Sequence, residues 1–206
     1  MMKLYYATGT CALASHIALE EAGAEYSTVK ISFATHQQQS PEYLAINPKG
    51  RVPSLVTDRG ILTETPAMLA FIAQSFPKAK LAPIDDPFGF AEVQAFNSYL
   101  CSTVHVAHAH RPRGTRWADD PVALEAMKRK VPETMAACFE LIETKMMKGP
   151  WVMGDTYTVC DPYLFTLAGW LESDSVDAAR FPKVKAHRDR MAERPAVSKV
   201  LAAEKG

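Results

Sequence analysis

The feature that most constrains this chain is a break in its periodicity. Up to about residue 76, short strand-like runs alternate with helix-like ones; beyond the proline-bearing stretch Pro77 to Pro87, strand signals nearly vanish. A chain that changes pattern once, at a proline-rich joint, is expected to fold as two units of different class. The boundaries that follow are 1–78, a linker at 79–87, and an all-helical unit at 88–206.

In the first unit, Lys3 to Tyr6 reads as a strand, and the turn Ala7-Thr8-Gly9-Thr10 closes it. Leu13, Ala14, Ile17, Ala18 and Ala22 then recur at three- and four-residue steps, which predicts a helix stopped by Gly23. Tyr26 to Ile31 alternates as a second strand. A polar loop, a helical turn from Pro41 to Ala45 and the turn Asn47-Pro48-Lys49-Gly50 come next. Val52 to Val56 and Ile61-Leu62 read as a hairpin joined by Asp58-Arg59-Gly60. Thr65 is placed as the cap of the next helix, with Pro66 at its first position. The order βαβ, then αββα, predicts a mixed four-stranded sheet of the thioredoxin-like kind.

The second unit reads as Phe88 to His110, a long helix from Asp120-Pro121 toward Lys148 with a bend at Pro132, and a helix opened by Thr158-Val159-Cys160-Asp161. Two shorter helices follow, Pro182 to Glu193 and Ala196 to Ala203.

Charge narrows the function. The 206 residues carry 23 basic and 23 acidic side chains, a formal net charge of zero, with no polybasic run. Nucleic-acid binders show a basic excess or a clustered basic face, so that class is disfavoured. No apolar stretch approaches a bilayer span, and Met1 to Tyr6 lacks the apolar core of a secretory signal. Four cysteines without a CxxC spacing read as reduced thiols, which points to the cytoplasm.

In a thioredoxin-like fold, three local features converge. Cys11 falls at a helix start, where unpaired N–H groups favour a thiolate, and Tyr6 ends the strand before it. Val52 precedes Pro53 and is held extended, so its backbone can pair with an extended peptide. Glu64 and Thr65 combine a carboxylate for an ammonium with a helix start for an anion, a match to an α-amino acid head. Each also has a plain structural use: a buried thiol, a strand-initiating proline, a helix cap.

Together these residues resemble a family. Lys3 to Tyr6, Gly9 to Leu13, Leu19 to Gly23, Tyr43 to Pro53, Leu62 to Ala67, and Gly154-Asp155 with Thr158 to Asp161 are similar to the glutathione transferases, closest to the bacterial beta class. The resemblance implies glutathione as a substrate, with its γ-glutamyl head at Glu64 and Thr65. Its cysteinyl backbone would lie on Val52, with Pro53 cis, and its sulfur near Tyr6, Cys11 and His105. It also assigns Arg51 and His36 to glutathione, His36 toward the glycyl carboxylate. Ala12 stands where the beta class usually has serine. The activity implied is conjugation of the glutathione thiolate to small electrophiles. Covalent thiol exchange through Cys11, isomerase or dehalogenase chemistry, and a non-catalytic interaction protein on the same fold remain open beside it. A two-fold homodimer is implied too, with Met68, Leu69, Phe71, Ile72 and Phe76 of one helix and Phe90, Val93, Phe96 and Tyr99 of the next as its apolar material. The same residues would equally fill a seam between the two units.

The stretch His105 to Trp117 carries three histidines and Arg111, Arg113 and Arg116. It lacks nearby Cys, Asp or Glu at ligand spacing, so no metal is expected. His105 and His108 share a helical face, with His110 pointing elsewhere. His108, Arg111, Arg113 and Trp117 are read as the wall of the acceptor pocket, the arginines favouring an anionic acceptor. A solvated basic helix end is the equally weighted alternative.

Overall fold

The structure, a computed structural model, describes residues 1–205. The first seven elements are β1 (Met2–Tyr6), α1 (Ala12–Glu21), β2 (Tyr26–Lys30), α2 (Pro41–Leu44), β3 (Ser54–Thr57), β4 (Gly60–Thr63) and α3 (Thr65–Ser75). The strands form one sheet in the order β2-β1-β3-β4. β1 pairs parallel with β2, Leu4 opposite Thr28, and antiparallel with β3, Leu4 opposite Leu55; β3 and β4 form the hairpin. This is the thioredoxin-like arrangement.

Alternation along β1 sends Leu4 and Tyr6 to one face, and both are buried. Leu4 and Leu55 meet Leu19, Met68, Leu69 and Ile72 of the covering helices in one core. Full burial of such a side chain is worth about 1.5–3 kcal/mol. α1 buries Ala12, Ala14, Ser15, His16, Ile17, Ala18 and Leu19, which is more than one face. The reason is its position: it packs on β1 and α3 and also on two helices of the second half, α7 (Cys160–Ala168) and α9 (Pro195–Lys205), and its alanines allow that close approach. Gly23, at φ +64°, stops it where expected; its N–H reaches the Glu20 carbonyl at 3.1 Å.

The remaining elements are helical: α4 (Pro87–Tyr99), α5 (His105–Ala109), α6 (Pro121–Leu141), α7 (Cys160–Ala168), α8 (Pro182–Ala192) and α9 (Pro195–Lys205). Asp86 and Asp120 cap α4 and α6, accepting from Phe88 N at 3.1 Å and Val122 N at 2.9 Å. The single helix read from Phe88 to His110 is divided by a wide π-type turn at Leu100–Val104. α6 runs through Pro132 and ends in a second such turn, Ile142–Met146. No helix among the described residues is long and apolar enough to cross a membrane.

The start of α7 follows the capping-box expectation. Asp161, fully buried, accepts from Thr158 N at 2.7 Å, Thr158 Oγ1 at 3.3 Å, Val152 N at 2.8 Å and His187 Nε2 at 2.9 Å. α9 returns to α1, where Arg194 grips Glu21 with bonds of 2.5 and 2.8 Å and Glu204 meets His16 at 2.9 Å. Met68, Leu69, Ile72, Val93 and Phe96 are buried in the common core, so they fill the seam within one chain. Phe88, 76% exposed, remains outside.

Candidate functional site

A loop pinned from below forms one wall of the cleft. Tyr43 donates its hydroxyl to the Arg51 carbonyl at 2.7 Å, and Asn47 Nδ2 donates to the same oxygen at 2.7 Å. Both also contact Ser54 Oγ, at 3.0 and 3.1 Å. All three side chains are buried, so residues 51–54 are held by neutral hydrogen bonds in a dry environment. Gly50 lies at φ +59°, and a Cβ there would sit 2.6 Å from the Gln39 amide nitrogen. Glycine therefore lets the loop pass against the segment carrying His36. The Val52–Pro53 peptide is cis. β3 begins at Ser54, so Val52 lies ahead of the ladder rather than inside it.

Cys11 closes this wall from α1. Its thiol donates to the Val52 carbonyl at 3.6 Å. Burial pushes that thiol above its ordinary range, opposed by the Thr65 side chain, the Arg113 guanidinium and its own backbone N–H; Cys101 adds to the rise. The net direction keeps Cys11 a neutral thiol and a hydrogen-bond donor at neutral pH.

The start of α3 differs from the sequence expectation. Thr65 is the first helical residue and Pro66 the second, while Glu64 occupies the cap position at φ +72°. A non-glycine residue held there costs on the order of 1–3 kcal/mol. The cap preference of threonine was overridden by the sharp entry from β4. Glu64 is exposed and paired with Lys49, whose Nζ also donates to Thr63 Oγ1 at 2.7 Å. Lys49 was not singled out from sequence, although it sits in the recognised Asn47-Pro48-Lys49-Gly50 turn.

The opposite wall is helical and made of side chains. Arg113 Nη2 donates to His105 Nε2 at 2.9 Å. Burial, reinforced by the charges of Arg113, His108, Arg116 and Arg51, pulls His105 down to about 3. His105 is therefore neutral at physiological pH, and with Nε2 accepting from Arg113, Nδ1 bears its proton. Trp170 lies edge-on to His105 at 5.0 Å and stacks on His108 at 4.2 Å. Its Nε1–H crosses to the Gly9 carbonyl at 3.1 Å, joining this wall to the turn before Cys11. No local sequence signal marks Trp170.

The other sequence candidates lie apart from this convergence. The Tyr6 ring packs 5.4 Å from His16, on the side of α1 facing Glu204, whose charge adds to burial in raising its phenol. Strand alternation accounts for it, since Tyr6 shares a face with Leu4. His36 is exposed in a left-handed conformation, φ 55°, ahead of the turn Gln37–Gln39. Arg111 donates to the Ser173 carbonyl at 2.5 Å and lies 4.0 Å from Asp174, which also holds His108 at 2.7 Å. Trp117 is 48% exposed and stacks on His110 at 4.4 Å, while His105 and His108 do share a face.

Comparison with known proteins bears on this cleft. The family model described as glutathione S-transferase, N-terminal domain, matches residues 1–74, and the C-terminal domain model matches residues 114–204. The chain is 31% identical over 206 residues to glutathione S-transferase GstA of Escherichia coli O157:H7, covering 98% of each. A solved glutathione transferase homologue from Sulfitobacter, with bound glutathione, superposes with a TM-score of 0.95 at 46% identity over 98% of each chain. A bacterial beta class enzyme from Sphingomonas chungbukensis superposes with a TM-score of 0.86 at 32% identity, again over 98% of each.

Proposed function

Since the chain belongs to the glutathione S-transferase family and is a glutathione transferase, we propose that residues 1–78 bind glutathione and that, after a linker at 79–87, residues 88–206 line the site of a small electrophilic acceptor. The γ-glutamyl head is assigned to Glu64 and Thr65, the cysteinyl backbone to Val52, and the sulfur to the gap between Cys11 and the Arg113–His105 pair. One observation carries this reading: the Cys11 thiol reaches the Val52 carbonyl at 3.6 Å, and the Thr65 side chain and the Arg113 charge both favour the thiolate form of that same Cys11.

The reaction needs the glutathione thiol as thiolate. Arg113 supplies a fixed positive charge, and the Cys11 thiol, kept protonated by burial, turns its single S–H from the Val52 carbonyl to the glutathione sulfur. The thiolate pair then forms a C–S bond to the acceptor while the leaving group departs with its own pair. Lys49 holds Glu64 until the glutathione ammonium replaces or joins it.

Covalent exchange through Cys11 ranks second, because a thiol raised by burial is a poor nucleophile at neutral pH. The test is loss of glutathione thiol with a chloronitroarene, and separately with a small disulfide. Cys11→Ala is expected to lower conjugation by no more than about tenfold, the worth of one neutral hydrogen bond, and to move the rise of rate with pH upward. Abolished disulfide reduction with unchanged conjugation would instead assign Cys11 a covalent role.

Removal of small electrophiles, a detoxifying role, follows from this chemistry. The four free cysteines support a cytoplasmic setting. A two-fold homodimer is proposed as well, on exposed Phe88 and the half-buried Phe71, Phe76 and Phe90. Light scattering is expected to return twice the 22.7 kDa chain mass; a single-chain mass would contradict it.

A further inference from the structure

The cations around the cleft are not matched by anions. Arg51, Arg113 and Arg116 lie close enough that their charges push the Arg113 and Arg116 guanidiniums below the ordinary arginine range, behind burial as the first cause. All three also bear on His105, which is neutral and offsets nothing. Of the carboxylates nearby, Glu64 is paired with Lys49, and Asp174 holds His108 through Oδ2 while its Oδ1, buried without a hydrogen-bond partner, has Arg111 Nε 4.0 Å away. Among the described residues, no ion pair includes Arg51, Arg113 or Arg116. Arg113 Nε, moreover, is buried with no hydrogen-bond partner, although its Nη2 is fixed on His105 at 2.9 Å. A buried guanidinium N–H left unpaired beside two more cations calls for an anion.

Glutathione supplies two anionic groups here, the thiolate facing Arg113 and the glycyl carboxylate, which goes to Arg51 in this arrangement rather than to the exposed His36. Three guanidiniums leave one charge over, at Arg116, together with the open Nε of Arg113. The flank of this position is flat and aromatic, the His105, His108 and Trp170 rings.

We propose that the acceptor is a planar electrophile bearing its own carboxylate, seated with that group between Arg116 and the open Nε of Arg113. The proposal rests on the transferase reading above. Of the three arginines the sequence marked for an anionic acceptor, Arg113 and Arg116 serve here and Arg111 does not, being held by Asp174 and Ser173, while Arg51 joins the cluster from the loop opposite.

A matched pair of acceptors tests it: 4-chloro-3-nitrobenzoate and its methyl ester. In both, the thiolate forms the C–S bond and chloride leaves with the C–Cl pair, so only the acceptor charge differs. The quantity read is the acid-to-ester ratio of kcat/KM, each corrected for its own uncatalysed rate with glutathione. The expected ratio is at least about tenfold, the scale of one charged hydrogen bond. Arg116→Ala is expected to bring it to within about twofold of unity and Arg116→Glu to invert it, while Arg111→Ala preserves it. Turnover of the ester with a ratio near one, or a ratio unmoved by Arg116→Ala, overturns the anionic acceptor and leaves the transferase reading intact. Turnover of neither, with no glutathione binding by calorimetry, overturns that reading and the inference with it.

Discussion

Each half of the molecule contains a buried polar cluster gathered on one acceptor, and these two are used differently. In the front half, Tyr43, Asn47 and Ser54 surround the Arg51 carbonyl with neutral hydrogen bonds of 2.7 to 3.1 Å. In the helical half, the Asp161 carboxylate gathers Thr158, Val152 and His187 at 2.7 to 3.3 Å. Both satisfy backbone groups that would otherwise be buried unpaired. The front cluster lies directly beneath Val52, so whatever disturbs it disturbs the edge that meets the ligand. The rear cluster hydrogen-bonds no residue of the cleft and fixes how α7 begins, where α8 rests and where the loop at Val152 lies. Motifs of equal regularity in the sequence can thus serve a site or a scaffold, and what they touch tells them apart.

The contrast predicts separable effects. Asp161→Ala leaves the buried His187 nitrogen and two backbone N–H groups without an acceptor, and is expected to cost about 3–5 kcal/mol in urea unfolding. The fraction that folds should bind glutathione as the parent does; a loss under about 1 kcal/mol would remove the rear cluster from the scaffold. Asn47→Ala is expected to cost less, about 1–3 kcal/mol, but to weaken glutathione as well, because the Arg51 carbonyl loses one of its two side-chain donors. Unchanged affinity in a destabilised Asn47→Ala protein would break the comparison, reducing the front cluster to scaffold too.

The sequence carried the fold further than the cleft. Alternation and helical spacing place most strands and helices to within a few residues, since these patterns report burial directly, although α4 and α5 read as one helix; Gly23 and Asp161 act as their positions imply. Thr65 was read one position off because local cap preference does not register the turn that puts Glu64 at φ +72°. Tyr6 illustrates a signal that was present: its parity with Leu4 sends the ring toward His16. Arg113 and Arg116 lie in the stretch the sequence marked, but Arg51 and Cys11 are far from it along the chain, and only the fold shows that the Arg113 charge bears on Cys11 while Arg111 is held by Asp174. Side-chain walls built from distant residues leave no local period to read.

The central claim is that the loop at Val52 and the start of α3 form the glutathione site, and calorimetric titration of glutathione tests it most directly. The parent chain is compared with Glu64→Gln and Thr65→Ala, two changes at a helix start that leave the core untouched. Each lost charged hydrogen bond should weaken binding by about 1.5–3 kcal/mol, with unfolding midpoints nearly unmoved. Full affinity in both variants would contradict the account and place the γ-glutamyl head elsewhere.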